Sequence, residues 1–87
     1  MHYVYVLHSR SDGKLYTGCT GDLRERLKQH NSGSVPSTAK RIPLELIYYE
    51  ACLDPSDAYH REQYLKTAYG KRYLKSRLGK YFATLGP

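Results

Sequence analysis

Between Tyr3 and His30 the chain crowds two β-prone runs and a capped helix, joined by connections too short for anything but an antiparallel hairpin. Tyr3–Leu7 is aromatic and β-branched and nearly apolar on both faces, as a covered strand would be. Ser9-Arg10-Ser11-Asp12-Gly13 is a turn cluster, and Lys14–Thr17 reads as the returning strand. Gly18 and Gly21 loosen the next connection. Asp22 is placed to cap a helix, with Glu25 three residues on, and Leu23 and Leu27 form its apolar i, i+4 pair. Asn31-Ser32-Gly33 stops that helix.

The remainder alternates in the same way. Ser34–Lys40 is a polar loop, and Leu44–Ala51 is a third strand, the richest in Ile, Leu and Tyr. Asp54-Pro55 opens a second helix, expected to run to about Tyr69 and to end at Gly70. A shorter basic helix is expected over roughly Arg72 to Leu78. The order β-β-α-β-α-α has too few strands, too closely joined, for a doubly wound parallel sheet. The expectation is an α/β fold: a small, three-stranded, largely antiparallel sheet flanked by helices. With 87 residues it forms a single domain, residues 1–87.

Charge narrows the class of partner. Fourteen Lys and Arg against eight Asp and Glu leave a formal charge of +6, which favours a polyanion. Ten tyrosines with one Phe and no Trp suit half-buried sites with a wet hydroxyl, or stacking on unpaired bases. No apolar run is long enough to span a membrane, and Met1–Leu7 lacks the basic start and cleavage site of a signal peptide. Cys19 and Cys52 alone are too few to staple a small secreted domain, so both are read as reduced thiols of a cytoplasmic protein.

Five residues stand out as candidates for chemistry. Asp22, Arg26 and His30 are spaced i, i+4, i+8, which sets Arg26 and His30 beside the buried stripe of Leu23 and Leu27. An arginine and a histidine so spaced are also an ordinary solvated pair. The hairpin decides whether Tyr5 and Tyr16 meet. A two-residue Asp12-Gly13 turn would leave them on one face but roughly 13 Å apart. A four-residue loop, Ser9–Asp12, would set Tyr5 directly opposite Tyr16, and this second register is the one expected. The bland reading is a cross-strand aromatic pair that stabilises the hairpin. On the second helix Ala58, Glu62, Leu65 and Tyr69 share one face, so a carboxylate falls within the expected buried stripe. It must be paired, with Arg26 or a lysine for instance, or protonated, or bound to a metal.

This ordered set resembles the GIY-YIG nuclease superfamily, and most closely its small single-domain members. Tyr3-Val4-Tyr5 stands where that family has its first tripeptide and Tyr16-Thr17-Gly18 where it has the second, ten residues apart. Arg26 and His30 match the family's helix arginine and the histidine or tyrosine one turn later, and Glu62 matches its metal-binding glutamate. The chain departs from the pattern at Tyr3, in place of glycine, and at Thr17, in place of isoleucine. It also has no lysine just after the second tripeptide, Lys14 being nearest, and no clear match to a late asparagine found in some members.

The resemblance implies hydrolysis of a phosphodiester in one in-line step, with one divalent cation, Mg²⁺ or Mn²⁺, held by Glu62. Tyr5 or Tyr16 would take the proton of the attacking water. His30, the other tyrosine and the cation would help Tyr5 to ionise. Arg26 would clamp the scissile phosphate. Lys14, Lys28, Lys40, Arg41, Lys66, Lys71, Arg72, Lys75 and Arg77 are the candidates for phosphate contacts. The leading function is therefore a structure-selective or weakly specific DNA endonuclease of repair or recombination, monomeric or weakly dimeric, targeted by its own affinity for DNA shape or else by a protein partner. The other readings are a non-catalytic nucleic-acid-binding module and a protein-interaction module built on the tyrosines.

Overall fold

A computed structural model describes residues 1–86. The elements run β1 (His2–Ser9), β2 (Leu15–Thr20), α1 (Leu23–Asn31), β3 (Leu44–Cys52), α2 (Pro55–Leu65), α3 (Ala68–Arg77) and α4 (Gly79–Ala83). The strands form one antiparallel sheet, as expected, and its order is β2-β1-β3.

Being central, β1 is covered on both faces, which explains its unbroken apolar run. Val4 and Val6 point to one side, where they pack with Ala58 and Leu65 of α2 and Leu74 of α3. Tyr5 and Leu7 point to the other, where Leu23 and Leu27 of α1 join Tyr16, Leu44 and Leu46. Helix α1 thus lies on one face of the sheet and α2 and α3 on the other.

The hairpin register differs from expectation. Tyr5 faces Gly18 and Leu7 faces Tyr16; Tyr5 and Tyr16 are not directly opposite. The loop spans residues 10–13, one position later at each end. Ser9 N–H donates to the Lys14 carbonyl (3.0 Å) and Gly13 N–H to the Ser9 carbonyl (2.9 Å), with Gly13 at φ 73°. Ser9 stays in the strand because its hydroxyl is buried, donating to the Arg41 carbonyl at 2.6 Å and accepting from the N–H groups of Ser11 and Asp12. A shift of one at both ends moves the register by two, which preserves parity. Tyr5 and Tyr16 therefore still share a face, as diagonal neighbours. β2 also runs on to Thr20, so Gly18 lies within a strand and not in a loosened connection.

The second correction concerns the last third of the chain. Asp54 caps α2 by accepting from Ser56 N–H (2.7 Å), with Pro55 in the first turn as expected. The helix ends at Leu65, however, because Thr67 starts a new one by accepting from Gly70 N–H at 3.1 Å. Tyr69 belongs to α3 and is 68% exposed, so it does not extend the buried stripe. Gly70 is a point of contact and not a stop: a Cβ there would run into the backbone of Tyr64 and Leu65. The basic helix consequently starts at Ala68, and a short α4 follows that the sequence reading did not separate. No helix among the described residues is long and apolar enough to cross a membrane.

Candidate active site

Tyr5, Tyr16, Arg26 and His30 come together where the Tyr5 side chain crosses the edge strand β2, with Glu62 within electrostatic range of Tyr5. Its hydroxyl end lies over Gly18, where any Cβ would collide with it. Glycine is needed here for close approach and not for a special backbone angle. The Tyr16 ring stands 6.4 Å from the Tyr5 ring and 5.1 Å from His30, centroid to centroid.

His30 is fully buried at the end of α1. The helix end is fixed by its neighbour Asn31, whose amide donates to the Leu44 carbonyl (2.9 Å) and accepts from Leu44 N–H (2.7 Å). Both imidazole nitrogens have partners: Nε2 lies 2.8 Å from the Tyr5 hydroxyl and Nδ1 lies 2.7 Å from Thr38 Oγ1. One neutral tautomer donates through Nδ1 to Thr38 and accepts through Nε2 from Tyr5. Thr38 is the residue that the sequence reading missed. It sits in the Ser34–Lys40 segment, expected to be a plain polar loop, yet Thr38 and Val35 are both buried. Local pattern does not set Thr38 apart from Ser37, since only the return of the loop beneath α1 brings it to the histidine.

Burial dominates the protonation of this pair. It raises the Tyr5 phenol above the ordinary tyrosine range; Arg26, close enough to act on it, opposes this, and Tyr16 and Glu62 add to the rise. Burial lowers the His30 imidazole, and the charge of Arg26 lowers it further. At neutral pH both groups are therefore neutral. The expectation that neighbouring protein groups would ease ionisation of Tyr5 is reversed, because removing the phenolate from water outweighs the nearby guanidinium.

Arg26 is half-buried and held by its own helix, donating through Nη1 to Gln29 Oε1 at 2.9 Å. Glu62 approaches from α2, close enough for its charge to act on both Tyr5 and Cys19. Its side chain is only 13% exposed, and its cationic partner is Lys66, at 3.3 Å. The donor set constrains any metal. Among the described residues no group of three or more His, Cys, Asp or Glu side chains converges, so a closed tetrahedral centre of the zinc type is not built here. A lone carboxylate beside a groove fits a hard cation that keeps several waters and takes phosphate oxygens.

The groove lies beside Tyr16. A cleft of about 550 Å³ has Lys14, Lys66, Lys71 and Lys75 around an apolar floor that includes Leu74 and Phe82. On α3 the spacing of Lys71 and Lys75 puts both on the flank facing the hairpin. The other expected phosphate contacts are not gathered there. The Arg41 guanidinium is taken by Asp12 (2.7 Å) and the Leu15 carbonyl (3.3 Å), bracing the hairpin tip and holding the Asp12 carboxyl down to about 2. Arg72 lies over the Tyr69 ring at 4.7 Å. Lys28, Lys40 and Arg77 are exposed elsewhere.

A family model described as the GIY-YIG catalytic domain matches residues 1–74. A UPF0213 protein of Clostridium perfringens is 42% identical over 67 residues, covering 76% of this chain and 71% of its own. A UPF0213 protein of Bacillus pumilus is 45% identical over 67 residues, covering 76% and 67%. One from Staphylococcus saprophyticus is 37% identical over 75 residues, covering 85% and 90%. No solved structure gives a significant match.

Proposed function

The chain belongs to the GIY-YIG nuclease family, and on that premise we propose that it is a metal-dependent endonuclease acting on DNA. The observation that carries the reading is the buried chain Tyr5–His30–Thr38, set beside Arg26 and Glu62. A tyrosine and a histidine, both kept neutral by burial and sharing one hydrogen bond, form a proton relay.

In this mechanism the Tyr5 oxygen takes a proton from the attacking water as its own proton passes to Nε2 of His30. No free phenolate forms, so the raised affinity of Tyr5 for its proton is no obstacle. The imidazolium that results keeps its Nδ1–H on Thr38. The hydroxide attacks phosphorus in line with the leaving oxygen, which departs and is protonated from solvent. Arg26 holds a non-bridging oxygen and stabilises the charge that accumulates there. Glu62 would hold the Mg²⁺ or Mn²⁺, which supplies Lewis-acid stabilisation of the departing oxygen. His30 returns its proton to Tyr5, and Tyr5 to solvent, to close the cycle.

The lysine cleft supports binding to the phosphate backbone without base reading, which fits a structure-selective or weakly specific enzyme of repair or recombination. Such a substrate, together with two free thiols, suits a cytoplasmic protein acting as a monomer or weak dimer. The test is incubation with labelled duplex, single strand, flap, four-way junction and RNA, with Mg²⁺, with Mn²⁺ or with neither. Metal-dependent cutting of one DNA shape is expected. Binding without cutting in either metal would contradict the reading.

A further inference from the structure

Glu62 is held unlike the other paired carboxylates. Glu45, Asp12 and Glu50 are each bound by an arginine at 2.7, 2.7 and 2.9 Å, Glu50 through both its oxygens. Glu62 is the least exposed of the four, yet its cationic partner is a lysine, at 3.3 Å from Oε2, while Oε1 accepts from the neutral Gln63 amide at 3.2 Å. That lysine is half exposed, sits one helical turn along α2, and also lines the cleft with Lys14, Lys71 and Lys75. One ammonium on a flexible stem thus stands between a poorly solvated carboxylate and a site for phosphates.

We propose that Lys66 is a displaceable counter-ion for Glu62 that couples metal binding to phosphate binding. The proposal rests on the metal-dependent reading above. Without a cation, Lys66 is the counter-charge of a carboxylate that is only 13% exposed. A divalent cation at Glu62 carries two charges to the same oxygens and repels the ammonium. Lys66 then turns into the cleft, where a phosphate receives it. The linkage is reciprocal: a phosphate that draws Lys66 away tightens the cation at Glu62 by the same factor. The site is thereby kept from loading metal firmly before nucleic acid arrives.

The test is Mn²⁺ affinity, read from the electron paramagnetic resonance of free Mn²⁺, with and without a single-stranded oligonucleotide. A Tyr5→Phe background prevents cleavage, and Lys66, being half exposed, can be replaced without disturbing the core. Lys66→Gln is expected to tighten Mn²⁺ about fivefold without DNA, the scale of one partly exposed ion pair. The gain produced by the oligonucleotide should shrink by the same factor, and Lys66→Arg should restore the coupling. If the parent binds Mn²⁺ through Glu62 but Lys66→Gln leaves both affinity and coupling unchanged, the counter-ion role is overturned and the metal reading stands. If the parent binds no Mn²⁺, or binds it equally after Glu62→Ala, the metal reading fails and this proposal with it.

Discussion

The Tyr5 hydroxyl lies 2.8 Å from Nε2 of His30, on a phenol that is 1% exposed and an imidazole that is fully buried. Burial drives the two away from ionisation in opposite directions, the phenol upwards and the imidazole downwards. Neither is suited to act alone as a charged group, but together they can move a proton along one hydrogen bond. The following expectations derive from that pairing and from the packing that enforces it.

Thr38→Val keeps the volume and removes the partner of His30 Nδ1. Loss of one buried hydrogen bond should cost about 1 kcal/mol of stability. Cleavage should fall at least tenfold, since the imidazole loses the contact that fixes its orientation and tautomer, within the range that positioned acid–base groups supply. Thr38→Ser, which keeps the hydroxyl, should recover most of the rate while remaining slightly less stable. Urea denaturation and single-turnover cleavage measure the two effects separately.

Gly18→Ala should lower both stability and activity, because its Cβ would occupy the position of the Tyr5 hydroxyl end. Overpacking of this kind costs about 1–3 kcal/mol. The penalty should be smaller in a Tyr5→Phe background, where the hydroxyl is gone, so that the two substitutions are non-additive in a double-mutant cycle.

Acid should weaken the fold and the relay together. His30 has a folded-state pKa below its unfolded value of about 6.5. The stability of its neutral, buried form is therefore fully present above about pH 6.5 and is lost as pH falls from there towards the lowered folded value. Protonation also removes the acceptor for the Tyr5 proton. The rate should fall on the acid side through that lowered pKa, and His30→Gln should remove this limb from whatever rate remains. Tyr5, raised above its ordinary value, should give no alkaline loss below about pH 10.

Lys71→Ala and Lys75→Ala should each reduce the slope of log affinity against log salt by about 1, as expected for lysines that neutralise a phosphate. Arg41→Ala should leave that slope nearly unchanged and instead loosen the hairpin tip, where Arg41 is tied to Asp12 and the Leu15 carbonyl. Filter binding over a salt series distinguishes the two classes.

The features legible in the sequence are those with local causes. Asp22 and Asp54 marked helix starts because a cap acts on amides two or three residues away. The antiparallel character of the sheet followed from connection lengths, whereas the order β2-β1-β3 did not. The strand over Tyr3–Leu7 was legible from its aromatic and β-branched run. The register was lost because it depends on Ser9, which stays in the strand through a hydrogen bond to Arg41, 32 residues away. The break after Leu65 was lost because Thr67 competes as a cap inside a stretch that reads as continuous helix. In the site, Tyr5, Tyr16, Arg26, His30 and Glu62 could be gathered in advance by spacing and resemblance. Thr38 could not, because its only signal is a contact made by the completed fold.

The measurement that bears most directly on the relay is the single-turnover cleavage rate of Tyr5→Phe beside the parent protein, at saturating Mg²⁺ or Mn²⁺ and with DNA affinity measured in parallel. The ring and its packing are kept and only the hydroxyl is removed. A fall of about a hundredfold or more, with affinity unchanged, is the result predicted for a residue that carries the proton. A rate within a few-fold of the parent would contradict the account and move the base to another group.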